Sequence, residues 1–424
     1  MGKLNDLFNE VMSKDKDFTM RNNTEFPVQY PTGILPLDFA NGERVHVYNT
    51  EKGLDYKYNS IGITDGSYNL FIGRSGSGKS TMAVQAGANI IRNFPDGEMY
   101  IDSAEGGISY QRLETLTGFD PIEMKEKVVL KNTGISIENM YKRIKTIYDI
   151  KLANPDDFRY DTGLLDAHGD PIIKFQPTVY IIDSIAMLMP QKNTEEEELS
   201  GQMAASASAR LLTQTLARVL NLCKTANIII LAINHIREKM QVSMFPKPGD
   251  LLYLKPDETL PGGKAVTFYA NNIFKISDAG KMAEGKDLNI FGSTNTVEIV
   301  KSRTCANGTK VPLIFDQNLG FDPDLSLYLM LKEAGYVKGA GAYLYIGEMK
   351  DVKFAQKNFK STLYTNEEFA KYVYNVCAEL LNAKLDKNEK YIEDNKFIRT
   401  DSGNYGSTDA ILNVINNLNM NIAA

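Results

Sequence analysis

The chain has 424 residues, 43% of them apolar and 24% charged, and a formal net charge of −6. That content supports a sizeable core and two or three domains. The charge excludes a nucleic-acid binder that works through global basicity and leaves room for a local basic groove. No apolar run reaches the roughly 18 residues of a membrane span, so no membrane partner is expected. The MGKLND start lacks the basic-then-apolar pattern of a signal peptide and the hydroxyl residue at position 6 of a myristoylation signal. Cys223, Cys305 and Cys377 are far apart and odd in number, and read as reduced thiols of a cytoplasmic protein. With three His in the whole chain, a His-based metal centre is not expected.

In chain order, Leu4, Leu7, Phe8, Val11 and Met12 recur at helical spacing within residues 3–14, and a polar stretch follows. This predicts a short amphipathic helix on an arm covering about 1–30, too short to be stable alone. Between 43 and 60, Val45, Val47, Tyr56 and Tyr58 alternate around Glu51-Lys52-Gly53, a hairpin pattern. Residues 68–72 (YNLFI) read as a buried strand, Ser80–Arg92 as a helix and Met99–Asp102 as a second strand. Helical stretches follow near 136–152 and 203–225. The Asp-, Gly- and Pro-rich residues 154–175 read as an exposed excursion. Val179–Ile182 and Ile228–Ile233 are the third and fourth strands. Strands alternating with helices predict an α/β fold, a mostly parallel sheet covered on both faces. From about 325 the chain turns helix-rich and polar, and a C-terminal domain is placed over 325–424.

Gly73, Arg74, Ser75, Gly76, Ser77, Gly78, Lys79 and Ser80 spell G-x-x-x-x-G-K-S between a strand and a helix, with Thr81 next. In this phosphate loop, the P-loop or Walker A motif, the glycines let backbone N–H groups turn onto phosphate oxygens. Lys79 brings a point charge to the β- and γ-phosphates of ATP, and Ser80 offers its hydroxyl to Mg²⁺. VYIIDS ends an apolar strand in Asp183, placed to support Mg²⁺. YIDSAEGG carries Asp102 and Glu105 past the end of a strand expected beside the phosphate-loop strand, where a carboxylate positions the attacking water. INHIREK puts Asn234 and His235 at the end of the fourth strand, on the ligand side of an open α/β sheet.

Taken in order, these segments resemble the RecA-family strand-exchange recombinases, most of all the phage-encoded UvsX type. The markers run from about 30 to 340: PTGILPLD (31–38), GRSGSGKS, FPDGEMYIDSAEGGIS (94–109), VYIIDSIAML (179–188), INHIREK, LPGGKAVTFYA (260–270) and EIVKSRT (298–304). The resemblance implies a RecA-like ATPase core over 31–324, with Glu105 as catalytic carboxylate and His235 as γ-phosphate sensor, a position usually held by Gln. It implies that Arg112 stacks on adenine, and that Lys301 and Arg303 act on a neighbouring subunit's ATP. One more residue separates Asp102 from Glu105 than the family spacing has.

Two DNA-facing loops are implied, about 190–206 and 237–263. Glu195–Glu198 make the first a poor phosphate contact, which leaves Gln202 and its backbone to meet DNA. In the second, Arg237, Lys239, Phe245, Lys247, Tyr253 and Lys255 lead to Gly262, Gly263 and Lys264. Basic and aromatic residues together suit a single strand. The implied activity is DNA-dependent ATP hydrolysis with filament assembly on single-stranded DNA, pairing with homologous duplex and strand exchange. A single-strand-binding protein and a loader would be further partners, in the host cytoplasm if the chain is phage-encoded. A RecA-like hexameric helicase or translocase is the alternative. The short arm, the paired loops and the KSR segment favour the recombinase.

Overall fold

The computed structural model describes residues 27–50, 52–166, 169–191, 202–238, 251, 253–281 and 292–395. The amphipathic stripe at 4–12, most of the first expected loop, and Lys239, Phe245 and Lys247 lie outside the described residues. The chain divides into two compact units, Met1–Thr365 and Asn366–Ala424.

The first unit is built on a nine-stranded sheet. Its strands are β1 (Tyr68–Gly73), β2 (Glu98–Ser103), β3 (Val128–Lys131), β4 (Thr178–Asp183), β5 (Ile228–His235), β6 (Asn272–Lys281), β7 (Gly292–Lys301), β8 (Thr309–Asp316) and β9 (Gly320–Asp322). The order across the sheet is β9-β8-β7-β6-β1-β5-β4-β2-β3. From β6 to β3 every pairing is parallel. The β7, β8 and β9 pairings are antiparallel and were not evident as strands from the sequence. The architecture is α/β with a large mixed sheet, and it fits a RecA-like core.

The helices that cover it include α1 (Leu35–Ala40), α2 (Lys79–Arg92), α3 (Tyr110–Thr117), α4 (Pro121–Lys127), α5 (Ile137–Ala153), α6 (Gln202–Ala226), α7 (Lys264–Phe268) and α8 (Pro323–Glu333). Side chains alternate between the two faces of a strand, and two separate cores result. Phe71, Ile101, Ile181 and Ile233 share one core with Met82, Ala86 and Ile90 of α2 and Leu113 of α3. Leu70, Ile72, Tyr180, Ile182 and Ile230 share the other with Met140 and Ile144 of α5 and Leu212, Leu216 and Val219 of α6. Burial on both faces is why β1, β4 and β5 read as unbroken apolar runs. Each fully buried Leu or Ile contributes about 1.5–3 kcal/mol. Helix α2 sits close to the sheet at Gly87, where a Cβ would come within 2.8 Å of the Met99 sulfur.

The expected 43–60 hairpin is present, Glu43–Asn49 against Leu54–Ser60, with Val45 opposite Tyr58. The stretch 154–175 differs from a plain exposed excursion. Arg159–Leu165 pairs with Pro171–Phe175, and the Tyr160 hydroxyl meets the Tyr30 hydroxyl at 2.8 Å. The two insertions also touch, because Tyr56 Oη donates to Leu165 O at 2.6 Å and accepts from Leu165 N at 3.0 Å.

The second unit contains helix α9 (Glu367–Asn395), with a Lys371–Glu367 ion pair of 2.6 Å one turn apart. Among the described residues, no helix is long and apolar enough to cross a membrane.

Candidate active site

The site forms where β1 gives way to α2. Gly78, at φ 90°, is the residue before the helix. A Cβ there would also stand 3.0 Å from the Phe321 ring and 3.1 Å from that of Phe315, so glycine is required twice over. The loop is held from β7, since Asn295 Nδ2 donates to Ser77 O at 2.9 Å. Ser77 Oγ is buried without a hydrogen-bond partner. The N-terminus of α2 points its unsatisfied N–H groups at the same space, an arrangement that favours an anion.

Lys79 is buried, and its Nζ donates to Arg74 O at 2.6 Å. Burial pushes its ammonium down to about 8, against the pull of Asp183 and Glu105. A phosphate arriving here would supply the counter-charge that the buried ammonium lacks.

Three further side chains converge on the loop. Register places His235 opposite Gly73 and Asp183 opposite Ile233, so the ends of β1, β5 and β4 are neighbours. Glu105 lies just past the end of β2, in a turn where Ala104 N donates to Asp183 O at 2.6 Å. Glu105 Oε1 lies 3.0 Å from His235 Nε2. The ligand atoms of Glu105, Asp183 and His235 all fall within 4.8 Å of one another. Burial raises the Asp183 carboxyl, opposed by a hydrogen bond from the Ser80 hydroxyl, while the Glu105 charge adds to the rise. Asp183 Oδ1 is buried with no hydrogen-bond partner. A buried carboxylate with one oxygen unsatisfied beside a serine hydroxyl fits a Mg²⁺ ion, whose ligands are hard oxygens.

Two expectations change. Strand β2 does not lie beside β1, because β5 and β4 stand between them. Glu105 reaches the loop because it lies beyond the strand end, in the turn tied to Asp183. Asp102 is not an alternative to it. Its carboxylate is buried on the α5 side, where Oδ2 accepts from Arg143 at 2.6 Å and from the Tyr180 hydroxyl at 2.5 Å. The signal for this was Arg143, a charged residue on the stripe that Met140, Ile144 and Ile147 define.

The Asn234–His235 pair divides. Asn234 is fully buried, and its Nδ2 donates to Pro261 O at 2.8 Å. Arg112 lies in the first turn of α3, whose N-cap Ser109 accepts from Arg112 N at 3.1 Å. Its guanidinium bonds the carbonyls of Gln317 and Asn318, in the turn next to Gly320, where a Cβ would meet Thr81 and Gln85 of α2. Lys301 and Arg303 are not part of this cluster. Lys301 is level with Leu70 in the sheet, three residues before Gly73. Its Nζ donates to Thr267 O and Phe268 O at 3.0 and 2.7 Å, at the end of α7. Arg303 lines a cavity of about 390 Å³ with Asp65, Lys174 and Lys224.

Of the second expected loop, Arg237 and Glu238 pair antiparallel with Glu258 and Thr259. Arg237, Lys255, Gly263 and Lys264 are exposed, and Gly262 and Gly263 have φ of 95° and 83°. Gln202 begins α6.

A family model described as the RecA N-terminal domain matches residues 170–318. Protein RecA of Macrococcus caseolyticus is 25% identical over 338 residues, 77% of this chain and 81% of its own. Protein RecA of Caldanaerobacter subterraneus subsp. tengcongensis is 24% identical over 359 residues, 84% and 86% of the two chains. Protein RecA of Staphylococcus epidermidis is 24% identical over 364 residues, 84% and 90% of the two chains. The chain is thus similar to RecA proteins over about four fifths of its length, and its mixed α/β sheet fits that likeness.

Proposed function

We propose that the protein is an ATP-dependent homologous recombination protein of the phage UvsX type. It assembles as a filament on single-stranded DNA, pairs it with homologous duplex and exchanges strands, with a single-strand-binding protein and a loader as further partners. The similarity to RecA supports recombination and repair as the general role. The observation that carries the site reading is the convergence of Lys79, Asp183, Glu105 and His235 at the ends of β1, β4, β2 and β5. Residues 31–324 form the ATPase core of this reading, between an oligomerisation arm over 1–30 and a C-terminal domain over 325–424.

The residues divide the work by position. The loop Gly73–Ser80, with Thr81, cradles the triphosphate, and Lys79 moves from Arg74 O to the β- and γ-phosphates. Ser80 and Asp183 would hold Mg²⁺, which neutralises charge on the phosphate oxygens when bound. Glu105 orients the attacking water. His235, 3.0 Å from Glu105, meets the γ-phosphate and passes its presence to the segment that follows β5. Arg112 stacks on the adenine once it releases the 317–318 carbonyls. Lys301 and Arg303 face the site of the next subunit. Gln202, Arg237, Lys239, Phe245, Lys247, Lys255, Gly262, Gly263 and Lys264 contact DNA.

Electron microscopy of the protein with a non-hydrolysable ATP analogue and single-stranded DNA tests this reading. Extended helical filaments and DNA-stimulated phosphate release support it. Closed six-membered rings would instead indicate a helicase or translocase.

A further inference from the structure

We propose that Arg74 is a positioning residue that links the phosphate loop to the strand pair Arg237–Glu238 and Glu258–Thr259 through the buried carboxylate of Glu258. The proposal rests on the nucleotide-site reading above. Arg74 is the second residue of the loop and is bound at both ends. Its carbonyl accepts from Lys79 Nζ at 2.6 Å. Its guanidinium lies 3.0 Å from Glu238 Oε1 and 3.5 Å from Glu258 Oε1.

The two ion pairs are unequal. The Arg74 and Glu238 side chains are 58% and 68% exposed, and such a pair contributes little. The Glu258 side chain is 5% exposed, and a buried carboxylate has to be partnered. Glu258 Oε2 accepts from Lys255 N at 3.1 Å and faces Lys275 Nζ at 4.0 Å. Lys275 Nζ already donates to Tyr253 O at 2.6 Å. Glu258 is therefore held on one side by its own turn and by Lys275, and on the other by Arg74. Lys275 precedes Ile276, which pairs with Gly73, so the strand pair is laid against the loop end of the sheet.

This arrangement couples the two elements. When Lys79 turns to a phosphate, Arg74 O loses its donor and the peptide that carries Arg74 is free to shift. The guanidinium moves with that peptide, and Glu258 follows because leaving it unpaired in its buried site is costly. This link is separate from His235, which reaches the same segment along the chain from β5. Coupling of this kind is reciprocal, so ordering the strand pair also favours the nucleotide-bound loop.

Hydrogen exchange of the full chain, read by mass spectrometry with and without a non-hydrolysable ATP analogue and Mg²⁺ and in the absence of DNA, tests the link. Each variant is measured at the analogue concentration that saturates it. In the unaltered protein the analogue changes exchange in peptides covering 235–238 and 258–262. Arg74→Met and Glu258→Gln reduce that nucleotide-dependent change by about 5-fold or more, while the change across 79–85 persists, and Arg74→Lys recovers part of it. A full response at 258–262 in Arg74→Met or in Glu258→Gln, or no response there in the unaltered protein, overturns the proposal. Should the response follow Arg74 while the protein shows no affinity for single-stranded DNA, the link stands and the recombination reading fails.

Discussion

The Glu105 Oε1 and His235 Nε2 atoms stand 3.0 Å apart, joining the turn after β2 to the last residue of β5 across the end of β4. The proposed water-positioning group and the proposed phosphate-facing group therefore form one unit, and a change in either reaches the other.

Replacing Glu105 with Gln keeps the shape and an oxygen near His235, and removes the negative charge. Nucleotide binding should stay close to that of the unaltered protein, because Lys79 and the loop are untouched. Hydrolysis should fall by about 10²-fold or more, the scale of positioned acid–base help. Single-turnover phosphate release measures this. Unchanged turnover would remove Glu105 from the role, and Asp102 could not replace it, since Arg143 and Tyr180 hold it on the other face of the sheet.

His235 is paired in register with Gly73, and Ile236 N donates to Gly73 O at 3.0 Å. The backbone contact survives substitution and the side-chain contact does not. His235→Ala should reduce the nucleotide-dependent gain in single-strand affinity more than it reduces nucleotide affinity. His235→Gln, which keeps an amide N–H donor near Glu105, should retain more of the gain than Ala. Fluorescence anisotropy of a labelled oligonucleotide, titrated with and without the ATP analogue, reads the difference. An Ala variant with the full gain would show that the coupling does not pass through the imidazole.

The parallel half of the fold was legible because burial on both faces leaves an unmistakable mark: TVYIID and IIILAIN are continuous apolar runs. The turn between β1 and α2 was legible because its glycines mark it, Gly76 and Gly78 at φ of 78° and 90°. Strands β7 to β9 were not, because Gly292–Lys301 and Thr309–Asp316 mix polar and apolar residues, as expected of strands less completely buried than β4 and β5. The order of β2 relative to β1 was hidden too, since a sequence gives strands in chain order and crossovers rearrange them. Arg74 and Glu258 are 184 positions apart by their numbers (258 − 74), and no local pattern connects them.

Lys151 is buried, and its Nζ donates to Gln176 O and Ala226 O at 2.7 and 3.0 Å. Burial lowers its ammonium from 10.5 to about 7, with Glu98 opposing. The folded pKa lies below the unfolded one, so between them the unfolded chain binds more protons. Its contribution is fully present above about 10.5, is lost as pH falls toward about 7, and is constant below that. Urea midpoints at about pH 8 and about pH 9 should therefore show this residue raising stability by about 1 kcal/mol per pH unit. Lys151→Met should flatten that part of the slope. Lys79, lowered to about 8, adds a similar rise that a saturating ATP analogue should suppress, because bound phosphate restores its charge. A Lys151→Met slope equal to that of the unaltered protein would place the ammonium in contact with solvent.

Lys301 and Arg303 offer a test that depends on subunits working in pairs. The register sets Lys301 level with Leu70, and its ammonium holds the end of α7. A role at the γ-phosphate therefore requires a second copy, whose positive charge would stabilise the developing phosphate charge. Lys301→Ala with Arg303→Ala should leave nucleotide binding by the isolated chain in place and suppress DNA-dependent hydrolysis. Lys79→Ala should suppress it from the other side, by emptying the subunit's own loop. Neither variant alone has a complete site. When the two are mixed, a subunit with an intact loop can lie beside one with intact Lys301 and Arg303, and that interface is complete. The mixture should regain DNA-dependent phosphate release that neither variant shows alone, with a maximum near equal amounts of the two. Two variants impaired for unrelated reasons would only dilute each other. A mixture no more active than its components would return Lys301 to a purely structural role at the end of α7 and leave the site without its proposed partner in trans.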